Sequence, residues 1–270
     1  MILFRKNFRF FSVNNFPHRF SRSFRVALKE SLSDFGELDY AKKKIIMDIG
    51  SYRQITRLRA CQKEPETIKW IEENFKKGEV FYDIGANVGA YSFVAHAVMG
   101  NESIIYAFEP NFLSFSALGQ NIFLNKYSEN IIPFQIAFSD KTQTIPLHYS
   151  GLSQGDTSNI IENFEKNKHS KTIFSQKVLT YKLDDFLKQF GINLPNHIKI
   201  DTDGSELKIL RGASNVLAHS ELRSILLEAN EELSDRDEIV KYLENFSFYI
   251  ESKHDHGGGI ANYILKKRYR

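Results

Sequence analysis

The sequence predicts an α/β fold: a doubly wound sheet with helices on both faces, an antiparallel last strand and a helical N-terminal extension. Three observations predict it. Apolar strand-like runs alternate with helical runs through most of the chain. The run Val80–Ile84 hands over to a helix through two spaced glycines in VFYDIGANVGAYS. Two strand-like runs close the chain, with the glycine-rich HDHGGG between them, so the last strand reverses direction.

A chain of 270 residues with 42% apolar content can bury one sizeable core. One domain over residues 41–270 is expected, preceded by an extension over 1–40. Cys61 is the only cysteine, so no disulfide forms within the chain, which suits a reducing compartment. No apolar run approaches the ~18 residues that span a bilayer, so a cytoplasmic protein, soluble or peripheral to a membrane, is expected.

The net charge of +3 is uneven. Residues 1–29 hold seven Lys or Arg and no acid, and the remainder carries an excess of four acids. A nucleic-acid binder would spread its positive charge along a groove, so no nucleic-acid partner is expected. In the extension Phe4, Phe8 and Phe11, then Phe16, Phe20 and Phe24, fall at helical spacing with Arg among them. This reads as a helix covering the domain's own surface. Peripheral contact of residues 1–29 with an anionic membrane, docking on a partner, and an organellar transit peptide are the other readings of that composition.

The elements follow in order. Ile45 to Arg59 alternates weakly and reads as a short hairpin. Glu64-Pro65-Glu66-Thr67 opens a helix, with proline in its first turn and acids at its positive end, and Lys77-Gly78 closes it. Val80–Ile84 is a buried strand, followed by a helix from Tyr91 to Met99. Ile104–Phe108 is the second strand and Phe112 to Leu124 the next helix. Ile131–Ala137 reads as the third strand, with Ile145–Tyr149 added beside it. Residues 150–172 lack periodicity and read as a lid. Leu183–Phe190 is helical, stopped by Gly191. His197–Ile200 is the fourth strand, Glu206 to Leu217 a helix broken near Gly212, and Ser224–Leu227 the fifth strand. Asp235–Asn245 is helical, and Phe248–Ile250 and Asn262–Lys266 form the closing hairpin around a turn at His254–Gly259.

The glycine loop decides the ligand class. In a dinucleotide fold the second glycine admits a pyrophosphate to the helix N-terminus. Here Gly85 and Gly89 form G-x-x-x-G around Ala86 and Asn87, and Asp83 stands two residues ahead. An acid there repels a pyrophosphate and attracts an ammonium. S-adenosylmethionine carries an ammonium, a sulfonium and a carboxylate, and the loop amides are expected to take the carboxylate. Glu109 ends the second strand, where an acid accepts both ribose hydroxyls, a position that by itself suits NAD equally. The combination favours adenosylmethionine. The plainer reading is a tight turn with close packing at Gly85 and Gly89, and Asp83 as a helix cap.

YDIGANVGAYS, AFEPN, AFSD, LDDF, IKIDTDGSELKILRGA and ILLEAN, in this order and spacing, closely resemble the successive blocks of the FkbM family of adenosylmethionine-dependent methyltransferases. The resemblance runs over residues 64–265 and includes EPETIKWIEE. It implies the class I methyltransferase fold, a Rossmann-like seven-stranded sandwich, and O-methylation of a hydroxyl on a sugar, glycan or related metabolite. It also implies that Asp83, Gly85, Ala86, Asn87 and Gly89 line the methionine end, with Glu66 reaching toward it. Glu109 and Pro110 would border the ribose, and Phe138, Ser139 and Asp140 the adenine.

Deprotonating a sugar hydroxyl calls for a base. Lys199, Asp201, Asp203 and Glu206 cluster in HIKIDTDGSE, and the first three would share a strand face. Asp201 is the first candidate base and Asp203 the second; the plainer reading makes Asp203 or Ser205 a helix cap. Asp201 with Glu228 falls short of a metal ligand set, and His254 and His256 read as a solvated turn, so no metal is expected. Expected partners are a small-molecule or glycan acceptor. A lipid-linked or polyketide-type acceptor, a binding protein on this fold without turnover, and an NAD-dependent oxidoreductase are the alternatives.

Overall fold

The computed structural model describes residues 24, 27–28, 31–32, 34–149, 159–161, 172–202, 204–230 and 236–268. The chain divides into two units, residues 1–34 and 35–270. In the first, residues 24, 27, 28 and 31 are helical. The phenylalanines Phe4 to Phe20 of the extension lie outside the described residues, as does most of the expected lid over 150–172.

The second unit is built on a seven-stranded sheet. Its strands are β3 (Val80–Ile84), β4 (Ile104–Phe108), β5 (Ile131–Phe134), β10 (His197–Ile200), β11 (Ser224–Asn230), β12 (Phe248–Gly257) and β13 (Ile260–Lys267). The spatial order is β12-β13-β11-β10-β3-β4-β5. The strands from β5 to β11 are parallel, and β13 runs antiparallel to both β11 and β12. The doubly wound sheet with its reversed last strand is therefore present. The order reverses between β3 and β10, so the carboxyl ends of those strands frame a crevice.

Helices cover both faces. Along β3, β4 and β10, alternate side chains point to opposite layers. Tyr82, Tyr106, Phe108, Ile198 and Ile200 pack with α6 (Leu183–Phe190), α7 (Glu206–Arg211), α8 (Ser214–Ala218) and α9 (Arg236–Glu244). Phe81, Ile105 and Ala107 pack with α3 (Pro65–Asn74), α4 (Ala90–Met99) and α5 (Phe112–Asn125).

Several elements depart from the sequence-based expectation. Residues 45–59 do not form a hairpin of their own. β2 (Ile46–Asp48) pairs back to β1 (Phe35–Glu37), and the chain then turns into α1 (Tyr52–Arg57) and α2 (Ala60–Lys63). The start signal of α1 is Ser51, whose Oγ accepts the Gln54 amide at 3.2 Å. The third strand stops at Phe134, after Pro133, which a sheet edge tolerates because it lacks an N–H. The chain then enters a second sheet of β6 (Ala137–Phe138), β7 (Gln143–Tyr149), β8 (Asn159–Ile161) and β9 (Phe174–Tyr181), ordered β6-β9-β7-β8. Ile145–Tyr149 therefore lies in this sheet and not beside β5. His254 and His256 stand within β12, so the closing turn is far shorter than expected.

At the amino ends of the strands a buried chain of polar groups ties α3 to the sheet. Trp70 Nε1 donates to Ser224 Oγ at 2.9 Å, and His197 Nδ1 lies 2.7 Å from the same oxygen. His197 Nε2 meets Glu79 Oε2 at 3.0 Å, and Arg223 pairs with the other Glu79 oxygen.

Candidate active site

The crevice at the carboxyl ends of the strands opens into a cavity of about 520 Å³. Its floor begins where β3 ends. Gly85 adopts φ +83°, and a Cβ there would lie 1.9 Å from the Asp201 carbonyl oxygen. The loop thus lies flat against the tip of β10, and only glycine permits that approach. Gly89 differs: at φ +93° its missing Cβ makes room for Leu118 and Phe93, so it serves packing and does not line the cavity.

Glu109 pins the loop. Its Oε2 accepts the Asn87 amide and its Oε1 the Asn111 amide, both at 2.8 Å. Asn87 is held at φ +51°, with its Oδ1 buried and unpartnered among the described residues. Burial pushes the Glu109 carboxyl up to about 7, although the two amides favour the ionised form. The Gly85 and Ala86 amides donate to Phe108 O, and the Gly89 amide to Ala86 O. The loop amides expected to take a carboxylate are thus largely committed within the protein.

Asp83 lies beneath the loop, 1% exposed. Its Oδ2 accepts from Ser92 Oγ at 2.6 Å, and its Oδ1 has no partner among the described residues. Burial raises its pKa, opposed by the Lys199 charge and the serine hydroxyl. Lys199 is itself buried: Nζ pairs with Asp201 Oδ2 and sits 4.7 Å from the centre of the Tyr91 ring. Burial would lower the Lys199 pKa, but Asp201, Glu64 and Asp83 outweigh it and raise it.

Asp201 lines the cavity with its side chain 30% exposed. Burial raises its carboxyl pKa, but the charge and hydrogen bond of Lys199 win and hold it low. A carboxylate fixed in this way is a weak proton acceptor, which counts against the base expected from sequence. Glu228, on the neighbouring strand, also lines the cavity, and it is pushed up to about 8, first by the Asp201 charge and then by burial. Asp203 lies outside the described residues. Glu206 accepts from Thr202 Oγ1 at 2.9 Å and from the Gly204 amide at 3.0 Å.

Like Gly89, Asp83 does not line the cavity, and four further expected positions stand elsewhere. Phe138 is buried in the core, 4.7 Å from Phe108 and 5.6 Å from Phe186 between ring centres. Ser139 backs onto Gly212, and Asp140 accepts from Ser139 Oγ at 3.2 Å. None of these three lines the cavity, because the chain leaves the large sheet after β5. Glu66 does not line it either; its Oε1 accepts from Asn262 at 2.8 Å and meets His256 Nε2, itself a lining residue, at 2.7 Å. Ala86, Asn87, Glu109 and Pro110 do line the cavity.

Sequence reasoning missed one whole wall. Arg53, Arg57 and Lys63, from α1 and α2, face the cavity beside Glu64. No local motif marks them; only the fold of the chain over the crevice brings them there. Among the described residues no group of three or more His, Cys, Asp or Glu is arranged to hold a metal ion. No helix of the described residues is long and apolar enough to cross a membrane.

Comparison with known proteins bears on the family and the fold. A family model described as the methyltransferase FkbM domain matches residues 83–250. The hexuronic acid methyltransferase AglP of Haloferax volcanii is 23% identical over 203 residues, covering 75% of this chain and 77% of that protein. The methyltransferase sdnD of Sordaria araneosa is 26% identical over 200 residues, covering 66% of this chain and 76% of that protein. Among solved structures, a methyltransferase FkbM from Methylobacillus flagellatus KT superposes with a TM-score of 0.51 at 15% identity, over 79% of this chain and 52% of that one. The match thus spans about half of that protein's length. A putative rRNA-methylase from Clostridium thermocellum gives a TM-score of 0.50 at 8% identity, over 77% and 97% of the two chains. At these identities the structures show a shared fold, the Rossmann-like class I methyltransferase sheet.

Proposed function

The chain belongs to the FkbM methyltransferase family, and from that premise we propose that residues 41–270 form an S-adenosylmethionine-dependent O-methyltransferase acting on a hydroxyl of a sugar, glycan or related metabolite. The observation that carries the cofactor is the acid set at the switch point. Asp83, beneath the loop and off the cavity lining, keeps a buried oxygen without a partner among the described residues and adds negative charge under the site for an ammonium, and Glu109 stands beside the loop with lone pairs left for ribose hydroxyls. The residues present therefore fit the cofactor. When bound, it supplies a methyl group already activated by a sulfonium.

The chain's own residues then position the acceptor and remove its proton. We assign the base to Glu228, which stands within β11, two residues before its end, and lines the cavity. Asp201, held ionised by Lys199, serves by raising the proton affinity of Glu228 and by accepting a hydrogen bond from the acceptor. The name of the Haloferax relative supports a sugar-type acceptor.

Calorimetry with adenosylhomocysteine and NAD tests the cofactor reading. Binding of the first and not the second is expected; binding of NAD alone would return the site to a dinucleotide enzyme.

A further inference from the structure

We infer that the wall of Arg53, Arg57 and Lys63 binds the carboxylate at the amino acid end of the methyl donor, an inference that rests on the methyltransferase reading above. The argument is one of accounting. Of the five amides from Gly85 to Gly89, those of Gly85, Ala86, Asn87 and Gly89 already donate to Phe108 O, Glu109 or Ala86 O. The glycine loop is therefore a poor cradle for a carboxylate, unlike a helix N-terminus with free N–H groups. A buried carboxylate without a counter-charge is costly, so another wall must supply it.

The cavity's other acids already have tasks. Glu109 holds two amides, and Asp201 pairs with Lys199. The remaining positive charge on the lining comes from one stretch of chain, Arg53 to Lys63. Arg53 is exposed, and among the described residues its guanidinium has no ion-pair partner. Arg57 lines the same cavity as Asp201 and Tyr91. Lys63 Nζ already pairs with Glu64 Oε1 at 3.2 Å, so it contributes to the positive wall as a partner shared with that acid. An arginine fork and an ammonium both suit a carboxylate.

The test is calorimetry of the full chain with two ligands. Adenosylhomocysteine carries the carboxylate, and methylthioadenosine lacks the whole amino acid end. In Arg53→Gln, Arg57→Gln and Lys63→Gln, adenosylhomocysteine should weaken about tenfold or more in at least one variant, since charge-assisted hydrogen bonds are lost. Methylthioadenosine should hold within about twofold. Its retention reports an intact cavity even where Arg57→Gln loosens the end of α1. Unchanged adenosylhomocysteine affinity in all three variants overturns the inference, and so does equal weakening of both ligands. A loss confined to turnover of acidic sugar acceptors also overturns it, because the wall would then serve the acceptor. Failure of the unaltered protein to bind either ligand is a separate result, and it sinks the methyltransferase reading itself.

Discussion

Asp83 and Lys199 are paired neighbours across the parallel register of β3 and β10, both buried at 1% exposure on one face of the sheet. Lys199 is the positive centre of an acidic neighbourhood: it bonds Asp201, acts on Asp83 and Glu64, and rests on the Tyr91 ring. Asp83, which we assign to the cofactor side, and Asp201, which we assign to the acceptor side, are thus coupled through one ammonium.

Removing that ammonium should be expensive. Lys199→Met leaves Asp83 and Asp201 without their counter-charge, at a cost of about 3 kcal/mol, the lower end for a broken buried pair because Asp201 opens on the cavity. Denaturant titration checks it. The double variant Lys199→Met/Asp201→Asn should recover part of the loss; no recovery would mean that packing of the lysine stem dominates.

Gly85→Ala should abolish ligand binding and lower stability by about 2 kcal/mol or more, because φ +83° and the Asp201 carbonyl both oppose a Cβ. Thermal melting and adenosylhomocysteine calorimetry read the two effects. An alanine variant that binds normally would show that the loop does not lie as described.

The pH profile tests Glu228. Its carboxyl must be ionised to accept a proton, so kcat/KM should rise with pH toward a plateau above about 8, and Glu228→Gln should lose most of the rate and that rise. The same shift bears on stability. A carboxyl whose folded pKa lies above its unfolded value destabilises the fold progressively as pH rises through the folded value. Glu228→Gln should therefore melt higher than the unaltered protein at pH 9, by roughly 2 °C or more. Equal melting at that pH would remove the evidence for a strained carboxylate.

The Trp70–Ser224–His197–Glu79 chain should be structural only. Ser224→Ala leaves the Trp70 N–H and a His197 nitrogen unpaired, costing about 1–3 kcal/mol without changing adenosylhomocysteine affinity. Burial holds His197 below its unfolded pKa of about 6.5, so its contribution is full above that pH and is lost as pH falls. His197→Asn should flatten that acid limb of the stability curve.

The sequence was most legible where one short run carries both the strand and the turn that follows it. VFYDIGANVG placed Asp83, Gly85 and Asn87 at a strand tip, and Glu109 ends the next strand as its position implied. Legibility failed where tertiary contacts decide. Pro133 and the second sheet redirect Phe138 to Asp140 away from the cavity, although the motif order is intact. Arg53, Arg57 and Lys63 reach the cavity from outside the recognised blocks, so no spacing announces them. The role of Asp201 also depended on a neighbour: in HIKID it reads as a free acid at a strand end, and only folding puts the Lys199 ammonium on it.

The most direct test of the central claim is transfer of labelled methyl from adenosylmethionine to a panel of hexosides, uronic acid glycosides and lipid-linked sugars, followed by alkali treatment of the product. O-methylation of a hydroxyl predicts label in a sugar product that survives alkali, as an ether does, and loss of that label with Glu228→Gln. Label released by alkali, or none transferred by a protein that binds adenosylhomocysteine, would contradict it.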